Sequence, residues 1–155
     1  MRKFEVVTDY KNKGINLPIR STAFSAGYDI EAAEDTVIPA LTHKEGQTWV
    51  QNKLVPTGLK VACEPNEYVQ IVPRSSMYSK KGLLLANNIG IVDSDYYNNS
   101  DNEGHIFLNF LNMGSEDIHI QKGERLAQAI FQKYEVTDDD QAQGERQGGF
   151  GSTDK

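Results

Sequence analysis

The sequence predicts an all-β domain, a sandwich or a barrel, and three observations carry that expectation. Short runs of β-type residues recur at 36–38, 48–55, 58–62 and 68–72, punctuated by Pro39, Asn52, Pro56 and a Pro65-Asn66-Glu67 turn. The pattern resumes at residues 105–112, and Ile118 and Ile120 then alternate with polar neighbours. A length of 155 residues holds one domain with its own core and is short for two.

Taken in order, residues 3–7 open the chain as a short strand, and residues 11–20, polar and broken by Gly14 and Pro18, read as loop. Residues 21–30 gather small side chains and Gly27 just ahead of Tyr28 and Asp29, so that a backbone can approach closely beside a carboxylate. An Asx turn leading into Glu31 explains Asp29 equally well. Pro73 ends the strand at 68–72 and starts one short helix reaching about Lys81, before Gly82. Ser75 or Ser76 serves there as a helix cap, or Arg74 and the helix start form an anion site.

Leu83-Leu84-Leu85 and Ile91-Val92 flank Gly90 and read as a strand turning back on itself in a tight hairpin, with backbone groups left for a partner. Asp93 follows at its mouth, where a carboxylate can take a proton from water. Tyr96 offers a flat face for a ring or sugar, although Asp-Ser-Asp is also ordinary turn chemistry. Residues 97–103 carry three asparagines and no aliphatic side chain, which reads as a mobile loop projecting from the sheet. Residues 113–117 turn. Residues 125–136 are assigned as a strand covered on both faces, although their composition also permits a helix. The organisation expected is a domain over 1–136 and a flexible arm over 137–155. Within that arm Arg146, Phe150 among glycines, Ser152 and Thr153 are what a lid over a phosphate and a ring would need; a polar tail with an incidental Phe is the plainer alternative.

Composition narrows the function. A net charge of -6 argues against a protein coating nucleic acid through a basic face. The single cysteine, Cys63, excludes an intrachain disulfide, is expected to pack as a small apolar residue, and belongs to no zinc-type cluster. The N-terminus lacks a secretory h-region and no apolar run approaches a bilayer span, so a soluble cytoplasmic protein without membrane contact is expected.

Five stretches in one order, AGYDI (26–30), PRSS (73–76), NNIGIVDSDY (87–96), GERLAQ (123–128) and RQGGFGST (146–153), resemble the five motifs of the homotrimeric dUTPase family over essentially the whole chain. The resemblance implies a jelly-roll-like β-barrel, three subunits sharing three sites, and Mg²⁺-dependent hydrolysis of dUTP to dUMP and pyrophosphate. That reaction keeps uracil out of DNA and supplies dUMP for thymidylate synthesis. It also implies roles. Asp93 would be the general base, and Asp29 would meet the Mg²⁺ through water. Arg74, Ser75 and Ser76 would hold phosphates, with Gln128 near the α-phosphate. Asn87, Gly90, Ile91 and Val92 would form the uracil pocket, and Tyr96 would pack on the deoxyribose. Arg146 would reach the γ-phosphate with Gly151, Ser152 and Thr153, while Phe150 stacks on the base. Three features depart from the family pattern: residues 97–103 are an insertion before Gly104, the Arg146-to-Phe150 spacing is one residue short, and Ser76 replaces a glycine. The resemblance leaves two other readings: a dCTP deaminase of the same fold, although deaminases carry a glutamate where Asp93 stands, and a regulatory protein binding a partner through residues 97–103.

Overall fold

The computed structural model describes residues 1–146 and Gly149. In chain order it forms β1 (Lys3–Val6), β2 (Tyr28–Glu31), β3 (Thr36–Ile38), β4 (Thr42–Lys44), β5 (Gln47–Trp49), β6 (Asn52–Pro56), β7 (Leu59–Ala62) and β8 (Glu67–Pro73). Helix α1 (Ser76–Lys81) follows, then β9 (Leu83–Leu85), β10 (Gly90–Asp93), β11 (Phe107–Asn112), β12 (Ile118–Ile120) and β13 (Arg125–Lys133). All the pairings are antiparallel. A four-stranded sheet runs β10-β8-β13-β2, a three-stranded sheet runs β6-β11-β9, and β1-β7, β3-β12 and β4-β5 complete the walls of a jelly-roll-like β architecture that does not close into one continuous barrel.

The core fills the space between these sheets. Val55, Leu108 and Phe110 from the three-stranded sheet meet Ile30, Val69 and Leu126 from the four-stranded one, all essentially inaccessible to water. Each such side chain contributes roughly 1.5–3 kcal/mol of apolar burial. β13 is a strand, not a helix, because both its edges are occupied: β8 pairs along seven of its residues and β2 along the start. Leu126, Ala127 and Ala129 are completely buried, in keeping with the expected cover on both faces. No helix among the described residues is long and apolar enough to cross a membrane.

Four expectations are corrected. The tight hairpin around Gly90 does not form, since β9 pairs with β11 and β10 with β8, and the chain changes sheets between them. The run at 48–55 splits into β5 and β6, while β4, exposed at every position, carries no alternation by which the sequence could reveal it. Asp29 lies inside β2 rather than in an Asx turn. Residues 97–103 are bound into the body of the protein. Asn99 is buried, donating to Tyr96 O at 2.8 Å and accepting the amides of Asp101 and Asn102 at 3.0 and 3.1 Å. Glu103 accepts from the Thr8 amide at 2.9 Å and from Lys60 Nζ at 2.6 Å. Gly104 closes the loop at φ +83, where a Cβ would stand 2.7 Å from Tyr96 O.

Candidate active site

The switch of sheets between β9 and β10 opens a cleft. Because β10 pairs on one side only, its other edge faces β11 across a gap of about 240 Å³. Asn87, Gly90, Ile91, Val92 and Asp93 line one wall; Phe107, Leu108 and Asn109 line the other, with Ile71, Leu85, Tyr96 and His105 between them. An edge strand presents unpaired backbone donors and acceptors, so this gap combines apolar walls with a main-chain reading edge. Gly90 lies against Ile71, whose Cβ would be 3.1 Å from an added side chain.

Asp93 ends β10, with a side chain about half exposed at the rim. It is paired with the Arg146 guanidinium, whose Nε also reaches Asp95 Oδ1 at 2.6 Å. Arg146 lies over the Tyr96 ring, 5.9 Å from its centroid, and Gly149 packs so closely on that ring that a Cβ there would be 2.6 Å from Cε2. Arg146 and Gly149 thus lie against their own chain's cleft. Phe150, Gly151, Ser152 and Thr153 lie outside the described residues. Tyr96 is almost wholly buried, its hydroxyl donating to His105 O at 2.9 Å.

His105 is no rival to Asp93 as a base. Its Nε2 accepts the Gly58 amide at 2.9 Å, and burial pushes the imidazole down to about 4, so the ring is neutral with its acceptor nitrogen committed.

A second cluster forms where β2, β13 and the end of β8 meet. Asp29 is 5% exposed and pairs with Gln128 across the β2–β13 ladder. Its carboxylate accepts from Ser21 Oγ at 2.8 Å and Gln128 Nε2 at 3.4 Å, with Arg74 Nε at 3.6 Å and Arg125 Nη1 at 3.5 Å. Gly27 makes room for Gln128, whose Cβ would stand 2.9 Å from an added methyl group. Ser75 begins α1 with no side-chain capping bond and is exposed, so its hydroxyl is not spent on the helix; Ser76 is the first helical residue. Two arginines beside one buried carboxylate place cations that can meet an anion next to one acidic acceptor.

The two clusters are apart in one chain. Asp29 and Asp93 stand on opposite edge strands of one sheet, three strand spacings across, and their register positions on β8, Val72 and Tyr68, are four residues apart. That is a separation on the order of 20 Å. Asp95 and Arg125 lie inside the motifs without a role assigned by the resemblance, and Ser21 lies outside them. Strict alternation puts Arg125 and Gln128 on opposite faces of β13; the register shift between Arg125 and Ala127 turns both toward Asp29.

The comparisons agree with this architecture. The dUTPase family model matches residues 13–154. The deoxyuridine 5'-triphosphate nucleotidohydrolase of Lactococcus lactis subsp. lactis (strain IL1403) is 50% identical over 155 residues, 99% of this chain and 97% of that one. That of Chromobacterium violaceum is 34% identical over 144 residues, 89% and 87% of the two chains. The crystal structure of dUTPase from Streptococcus mutans superposes with a TM-score of 0.78 at 41% identity, covering 88% of this chain and 98% of that one. With a family model spanning almost the whole chain, a relative identical at half its positions and a solved dUTPase of the same fold, the chain belongs to the dUTPase family.

Proposed function

We propose that this chain hydrolyses dUTP to dUMP and pyrophosphate, with Asp93 as general base, in sites shared between the subunits of a homotrimer. The observation that carries the reading is Asp93 itself, a half-exposed carboxylate at the end of an edge strand and at the rim of a cleft with apolar walls. Asp93 takes a proton from a water whose oxygen bonds to the α-phosphorus. The bond from that phosphorus to the bridging oxygen breaks, and pyrophosphate leaves. The backbone at Asn87, Gly90 and Ile91 hydrogen-bonds the uracil edge, Val92 forms part of the pocket wall, and Tyr96 supports the deoxyribose. Arg146 exchanges its two carboxylates for the γ-phosphate, with Gly151, Ser152 and Thr153 beside it and Phe150 over the base.

The separation of the two clusters supports sharing, because one chain cannot bring Asp93 and the Asp29 group to the same phosphate. Arg74, Ser75, Ser76 and Gln128 of a second copy receive the phosphates, where preorganised donors stabilise developing charge. Among the described residues no three His, Cys, Asp or Glu side chains are grouped so as to hold a metal ion, so these residues offer no metal cage. Asp29, one buried carboxylate among cations, fits an outer role toward Mg²⁺ and would hold the ion through water rather than by direct ligation. When bound there, the ion would supply positive charge against the triphosphate.

The test is pyrophosphate release from dUTP, dTTP, dCTP and UTP with Mg²⁺, for the native chain and Asp93→Asn. Cleavage of dUTP alone is expected, with kcat lowered by about 10²–10⁴ in the variant while a non-hydrolysable dUTP analogue still binds. Ammonia release from dCTP, with dUTP untouched, would overturn the reading in favour of a deaminase.

A further inference from the structure

Residues 97–103 are expected from the sequence to project away from the sheet, yet they fold back on the one aromatic ring of the cleft that carries a hydroxyl. Asn102 Nδ2 donates to Tyr96 Oη at 2.8 Å, while the same hydroxyl donates to His105 O at 2.9 Å. The orientation of the Asn102 amide is fixed from its other end. Its Oδ1 accepts the Gly104 amide at 3.0 Å and Asn99 Nδ2 at 2.9 Å, which leaves Nδ2 to face the phenol. A carbonyl can only accept, so Tyr96 must give its proton to His105 and receive one from Asn102. The Tyr96 backbone is clamped by the same loop through Asn99. The ring is therefore fixed at its hydroxyl and at its main chain.

We infer that Asn102 is a positioning residue for sugar selection: by locking the Tyr96 hydroxyl it holds the ring where a 2′-hydroxyl does not fit. The inference rests on the reading of Tyr96 as the deoxyribose platform. An apolar surface that can give way rejects an added hydroxyl weakly, whereas a ring that cannot shift rejects it sterically. On this account the inserted loop belongs to the specificity apparatus.

Asn102→Asp isolates the donor. The carboxylate still accepts from Gly104 and Asn99, so the loop keeps its internal bonds, but it cannot donate to Tyr96 and instead competes for the phenol proton. The expected result is a fall of about tenfold in the kcat/KM preference for dUTP over UTP, carried by KM rather than kcat. Tyr96→Phe removes this bond together with the one to His105 O and should relax selection at least as far. In the Tyr96→Phe background the aspartate should then add nothing, because two residues acting through one bond are not additive. Preserved selectivity in either single variant, with its melting midpoint within about 2 °C of the native chain, overturns the inference, as does full additivity in the double variant. Tyr96→Ala separates the two readings. If it leaves selectivity intact, the sugar-platform assignment falls and the inference with it; if it relaxes selectivity while Asn102→Asp does not, only the inference falls.

Discussion

Asp93 and Gln128 show how much a single position depends on what stands beside it. Asp93 needs only the end of an edge strand to be exposed to water, and its role is tested by the Asp93→Asn assay above. Gln128 depends on an absence: Gly27 has no side chain where a methyl group would come within 2.9 Å of Gln128 Cβ and 3.0 Å of its Cδ. Gly27→Ala must therefore push Gln128 off Asp29 or move β2. A loss of roughly 1–3 kcal/mol in urea unfolding is expected, together with reduced kcat. Native kcat and stability in that variant would show that Gln128 needs no such clearance. At the same scale, Asn102 was legible as a loop residue and no more, because its meaning lies in a phenol six positions away that only a folded loop can reach.

Strands and loops set the acid response. His105 connects the inserted loop to β11, and its folded-state value of about 4 lies below the ordinary 6.5 because burial disfavours the imidazolium. The unfolded chain therefore takes up this proton first as pH falls. The His105 contribution is complete above pH 6.5 and lost between about 6.5 and 4. Glu103 extends the trend. Lys60 and the Thr8 amide hold its carboxyl down to about 2 from an ordinary 4.5, so its stabilisation is present above about 4.5 and fades toward 2. Thermal melting followed from pH 8 to pH 3 should show a midpoint falling from about 6.5 downward. His105→Gln, which retains an acceptor for Gly58, should flatten the upper part of the curve alone; an unchanged profile would remove His105 from this role. The elements also explain the failed hairpin. Leu83-Leu84-Leu85 and Ile91-Val92 are alike in composition, and nothing local tells either run which sheet will take it. β11 and β8 decide that, and the gap left between them is the cleft.

For the molecule as a whole the decisive feature is distance. Asp93 with its cleft and Asp29 with its arginines occupy opposite edge strands of one sheet, and the proposed reaction therefore draws one site from more than one copy. Asp93→Asn and Gln128→Ala chains, each inactive alone, should regain activity when unfolded together and reassembled. About a quarter of the native rate is expected if subunits mix at random and each site draws the two residues from different copies. No recovery, with mixed assemblies verified by mass, would place both residues in one subunit's site.

What the sequence determined by itself is the all-β class, the short α-helix between Arg74 and Gly82, the strand at β13 and the family to which the chain belongs. These are local facts, written in the period of apolar residues, in turn chemistry and in motifs that stay contiguous along the chain. The tertiary structure alone decided which strands are neighbours, that the Gly90 turn joins two sheets, that a bulge brings Arg125 beside Gln128, and that residues 97–103 close on Tyr96. The reason is physical: pairing partners, register shifts and buried amide networks are set by groups distant in sequence, and a polar loop looks the same from within whether water or a phenol satisfies it.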